Sequence, residues 1–114
     1  MIRSLNDVPI VYWKEEVKIS FLQRTILVNS RLYYDRNITV MSDREYDSIS
    51  KQLVVMQKKV SKEILKKTDY YDAFKDFDGT TGFDLYDRLS TNEKHMINII
   101  VESIVNQKVR GKEL

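Results

Sequence analysis

At 114 residues the chain can enclose one modest hydrophobic core but not two. Apolar residues at 42% and charged residues at 32% exclude a disordered chain, and a net charge of +2 makes no electrostatic case for nucleic acid. The absence of Cys excludes a disulfide framework, a thiolate metal site and a cysteine nucleophile. Three Gly and one Pro among long segments laced with Lys and Glu favour helices, so the expected class is all-α. "WKEEVK" interrupts any signal-peptide core, and no apolar run approaches ~18 residues, so no membrane span and a cytoplasmic location are expected.

In chain order, "MIRSLNDVP" reads as a lead-in, with Pro9 tolerated in a first helical turn. From about residue 10 to 34, Trp13, Val17, Phe21, Val28 and Leu32 recur at three- and four-residue intervals or their multiples. Leu22, Ile26 and Tyr33 widen the stripe, which predicts a long amphipathic helix. "DRN" ends it and "ITV" is a short extended connection. Ser42 and Glu45 have capping-box spacing and open a second helix, with Tyr46, Ile49, Leu53, Met56, Val60 and Ile64 on one face and an end near Lys66 or Lys67. Two long helices joined by about eight residues should pack as an antiparallel hairpin.

Thr68 is placed to cap a short helix, "DYYDAFKDF", and "DGTTG" is the strong loop signal. "FDLYDRL" suggests one or two further turns. Ser90 and Glu93 repeat the capping-box spacing before a last helix whose buried face should be Met96, Ile99, Ile100 and Ile104, closing the core over Leu53 and Met56, with "RGKEL" fraying. The expected layout is one helical domain over 1–114: a hairpin at about 10–67 and a C-terminal helical extension at 68–114.

Asp43, Tyr46 and Asp47 stand at i, i+3 and i+4 in the first turn of the second helix, so they share a face. Folding the hairpin brings Tyr33 and Tyr34 towards them. Tyrosine rings offer flat faces for a planar heterocycle, and carboxylates accept hydrogen bonds from ribose hydroxyls or a carboxamide. The same residues also have a purely structural reading: first-turn acids complement the helix dipole, and Tyr33 and Tyr46 can be core.

The stretch "YYDRNITVMSDREYD" resembles the N-terminal Ia domain of NAD-dependent bacterial DNA ligases, in which a helix ending in "YY" or "YH" is followed by a short loop and a "D-x-E-Y-D" helix start. The similarity covers roughly residues 20–60. It implies that Tyr33 and Tyr46 flank a nicotinamide ring and that Tyr34, Asp43 and Asp47 contact ribose, phosphate or carboxamide. NAD or nicotinamide mononucleotide is then a ligand, not a required cofactor. The departures imply that the chain is not a complete ligase. The closest text to the adenylation motif K-x-D-G is "KDFDG" at 75–79, one residue too long, and "NITVMS" replaces the common proline-containing loop.

The resemblance therefore points to a small non-catalytic, ligase-related accessory or binding protein, of a kind expected on a phage or other mobile element and acting in the cytoplasm, the host's if phage-encoded. Two alternatives stand beside it. One is a protein–protein interaction or regulatory module that reuses the hairpin without ligand. The other is the Ia component of a split ligase working in trans with a separate adenylation domain. Expected partners are that domain or another replication or repair protein, without a membrane and without direct nucleic-acid binding.

Other motifs carry less. An EF-hand register on Asp76, Asp78 and Gly79 puts Phe74 and Leu85 where oxygen donors belong, so a standard calcium loop is excluded and no metal site is expected. Lys58, Lys62 and Lys66 form an i, i+4 stripe that suits phosphates or simply a solvated face. His95 has no acid, nucleophile or ligand partner nearby in sequence, and no catalytic residue is assigned.

Overall fold

A computed structural model describes residues 14–80 and 84–113, with side chains to residue 108. The lead-in, Trp13 and the expected helical residues 10–13 lie outside the described residues. The chain is all-α: α1 (Glu15–Arg36), α2 (Asp43–Lys59), α3 (Lys62–Lys66), α4 (Tyr71–Phe74), a 3-10 turn (Tyr86–Arg88) and α5 (Thr91–Glu113). None of the described helices is long and apolar enough to cross a membrane.

The first helix is the hub, with α2, α3 and α5 all packing on it. That role explains its composition: Ile19, Ile26, Leu27, Val28 and Leu32 are all buried, on more than one side of the helix. Asn37 stops it by adopting a left-handed conformation (φ 53°, ψ 38°). This is a geometry Asn tolerates better than most residues, and it returns the Asn37 and Ile38 amides to the Leu32 carbonyl.

The hairpin is antiparallel, because Ser30 meets Tyr46 whereas the earlier Gln23 meets the later Gln57. The Ser42–Glu45 capping box forms, with the Glu45 amide donating to the Ser42 hydroxyl and the Ser42 amide donating to the Glu45 carboxylate. Leu53 is fully buried, and Tyr46, Ile49, Met56 and Val60 pack partly against the core, as the spacing predicts.

Four expectations are corrected. The second helix does not run to Lys66. Val60 and Ser61 are extended, and the Ser61 hydroxyl accepts the Ile64 amide to start α3. This break divides the expected lysine stripe between two helices. Thr68 does not cap α4, whose N-cap position is Tyr70; its hydroxyl donates to the Leu65 carbonyl and accepts from Gln23.

The third correction concerns α5, which opens on the expected Ser90–Glu93 box but buries Ile97 and Val101. Met96 and Ile99 are 55% and 51% exposed, whereas Ile100 and Ile104 of the expected face pack partly against the core. "MINIIV" is apolar around most of the helix, so spacing alone could not select the side that meets α1. Finally, α5 continues to Glu113 where fraying was expected. The single glycine there costs only ~1 kcal/mol of helix propensity.

At the far end of the hairpin the core contains polar groups. Gln23 is 0% exposed; its amide nitrogen donates to Gln57 Oε1 (3.0 Å) and Thr68 Oγ1 (3.2 Å), and its oxygen accepts the Tyr70 amide (3.2 Å). Gln57 donates in turn to the Phe74 carbonyl (3.1 Å). Two glutamines thus fasten α1 and α2 to the α3–α4 segment.

The following loop lies directly on α2. Gly79 has φ +89°, a conformation that favours glycine, and a Cβ there would stand 3.3 Å from Val54 Cγ2, a tight contact.

Candidate functional site

The corner between α1 and α2 opens a cleft of about 170 Å³. The last turns of α1 contribute Asn29, Ser30, Tyr33 and Tyr34, the loop contributes residues 38–41, and the first turn of α2 contributes Asp43 and Tyr46. The left-handed stop at Asn37 sends the loop back across the end of α1, and the Ser42 cap starts α2 beside it. Local backbone chemistry therefore brings Tyr33 and Tyr34 of α1 to the same cleft as Asp43 and Tyr46 of α2.

Four of the five residues singled out from the sequence line this cleft: Tyr33, Tyr34, Asp43 and Tyr46. Asp47 is exposed and is not among the lining residues, because one residue of helical rotation past Tyr46 carries it away from α1.

The two readings of the tyrosines separate here. Tyr33 is 53% exposed and Tyr34 51%, so Tyr33 is not core. Their rings meet edge to face, centroids 5.0 Å apart and planes at 89°. Tyr46 serves both ways, packing partly against the core and lining the cleft, with its hydroxyl 2.9 Å from Ser30 Oγ. Asn29 is tied by its amide to the Thr25 carbonyl (2.8 Å).

Asn29, Ser30 and the 38–41 wall were not anticipated. A signal existed for the first two: Asn29 and Ser30 precede Tyr33 by four and three residues, and so lie on the same helical face.

In charge, the lining is one-sided. Asp43 is its ionic group, and among the described residues no lysine or arginine lines the cleft. The arginines of the last turns of α1 are engaged elsewhere. Arg31 bonds Asp35 (3.3 Å) and stacks over the Tyr86 ring (3.8 Å), and Arg36 pairs with Asp35 and Glu102.

Elsewhere the chemistry is sparse. Lys75 and His95 are exposed, and the described residues hold no group of three or more His, Asp or Glu placed to bind a metal ion. Asp78 accepts from both the Thr80 hydroxyl (2.6 Å) and the Thr80 amide (3.1 Å). These bonds, the hydroxyl's first, hold its carboxyl below the usual range. Asp78 thus organises its own loop.

A cleft of this size accepts a single ring, being well below the ~300–1,000 Å³ that surrounds a drug-sized ligand. Comparison with protein-family models, curated proteins and solved structures finds no match to this chain, so the likeness to the ligase Ia domain rests on the residues of the corner alone.

Proposed function

We propose that this chain is a non-catalytic binding module, related to NAD-dependent DNA ligases, that takes the nicotinamide end of nicotinamide mononucleotide or NAD at the α1–α2 corner. The observation that carries this reading is the convergence of Tyr33, Tyr34, Asp43 and Tyr46 on one ring-sized cleft. The ring enters between the tyrosines, Asp43 accepts the carboxamide N–H, and ribose and phosphate remain outside. One stacked ring and few hydrogen bonds hold affinity to about the millimolar range. In this role the protein accompanies a replication or repair enzyme and does not itself transfer adenylate. Adenylyl transfer needs an amine aimed at phosphorus and cations around the developing charge, and neither lines the cleft among the described residues.

Ligand-observed NMR with nicotinamide mononucleotide tests the binding. Contact that disappears in Tyr46→Ala is expected, and absence of binding at millimolar ligand overturns the reading. Incubation with adenine-labelled NAD and intact-mass measurement tests catalysis: no AMP adduct is expected on this chain. Adduct formed on a separate adenylation domain only after mixing would make this the Ia component of a split ligase.

A second reading, an interaction module, is favoured by Met96 and Ile99, which are exposed one turn apart on α5. Loss of a pulled-down partner in Met96→Lys, without loss of fold, would support it.

A further inference from the structure

We infer that the corner cleft is a cage for an organic cation, and that positive charge on the ligand, more than its identity as nicotinamide, governs recognition. This rests on the reading of the corner as a ligand site and adds the chemical class of its occupant.

Three tyrosines line one small cleft, and two of them stand edge to face at 89°. Perpendicular aromatic walls present π-faces in more than one direction, which suits a charge spread over methyl groups or a ring. The ionic group in the lining is the Asp43 carboxylate. Glu45, on the same turn, is held by the Ser42 amide and hydroxyl, so it completes the helix cap instead. The cap also supplies the Glu45 amide with an internal acceptor, which weakens the helix start as an anion site. With Arg31 and Arg36 paired away from the cleft, no cationic side chain among the described residues lines it, and the partial positive end of α2 is the carboxylate's counterpart. An oxidised pyridinium ring or a trimethylammonium group meets these conditions. A phosphate or a carboxylate does not.

The test uses the full chain and matched pairs of probes. One pair is the ring-N-methylated nicotinamide cation against neutral nicotinamide; the other is choline against its uncharged carbon isostere, dimethylbutanol. Nicotinamide mononucleotide is run alongside. Titrations followed by NMR should give the charged member of each pair about 5-fold tighter binding or more. Asp43→Asn should reduce the preference to the part that the tyrosine faces supply, and Tyr34→Leu should weaken both charged probes, with unchanged circular dichroism in both variants.

Equal binding of charged and neutral members overturns the cation cage while leaving the nicotinamide reading in place. Binding of choline without binding of nicotinamide mononucleotide upholds the cage and removes the nicotinamide reading. Absence of binding by every probe overturns both.

Discussion

The two ends of the α1–α2 hairpin solve the same problem in opposite ways. At one end Gln23, Gln57 and Thr68 bring polar groups into the core, and each makes at least one hydrogen bond inside the protein. At the other end Tyr33 and Tyr34 bring large aromatic rings to the surface and leave about half of each exposed beside a carboxylate. The closed end has nothing left to offer a ligand, because its polar groups are already satisfied. The open end keeps ring surface and an acceptor available. The contrast teaches that polarity alone marks no site.

The comparison is broken most severely by cutting into the closed end. Phe74→Ala removes a fully buried ring that packs edge to face on Phe77, and should destabilise by about 3–5 kcal/mol, measured by urea unfolding. Gln23→Leu keeps the volume roughly constant but removes a partner from Gln57, Thr68 and the Tyr70 amide. Each group left unsatisfied costs about 1–3 kcal/mol, so a loss at the upper end of that range or above is expected by the same measurement. If Gln23→Leu proved neutral, the glutamines would not be the fastening the geometry describes.

Tyr46 joins the two behaviours, and Tyr46→Phe sharpens the contrast. Losing the hydroxyl that meets Ser30 should cost about 0.5–1.5 kcal/mol while leaving the ring in the cleft. Ligand binding should therefore survive Tyr46→Phe and fail in Tyr46→Ala.

Tyr70, at the closed end, adds a pH dependence. Burial first, then the negative charges of Asp69 and Glu93, raise its hydroxyl above the usual value of 10.0, against a lowering by Arg24. The folded state thus favours the neutral phenol. Its contribution is complete below pH 10 and disappears as the pH rises through the raised value. Unfolding curves across alkaline pH should show this decline, and Tyr70→Phe should flatten it.

The smallest expected effect on stability is at the open end. Tyr34→Ala should cost about 0.5–1 kcal/mol, since the ring is 51% exposed but stands edge to face on Tyr33, and yet weaken ligand binding.

Much of the framework was legible in the order of residues. Capping boxes at Ser42 and Ser90 and the "DRN" stop are local chemistry, in which a side chain and an amide a few residues apart decide a helix boundary, and all three appear in the structure. The same rule was available at Ser61 but was hidden by the apolar spacing that continues from Val60 to Ile64, so α2 and α3 read as one helix. Four of the corner residues were legible too, because a short loop between two helices forces their ends together whatever else the chain does.

What only the tertiary structure decided is which side of an ambiguous helix turns inward and which polar side chains find partners across the fold. Met96 and Ile99 could not be told from Ile97 and Val101 by period, because the choice depends on where α1 lies. Nothing in the apolar spacing of the first helix marks Gln23 as buried. Its burial is tolerable only because Gln57, Thr68 and the Tyr70 amide, 34 to 47 residues away, arrive to satisfy it. The sequence specifies the local hydrogen bonds that start and stop helices, since donor and acceptor are neighbours along the chain. Burial and the pairing of distant polar groups are properties of the packed whole, and so is the cleft that packing leaves open at the corner.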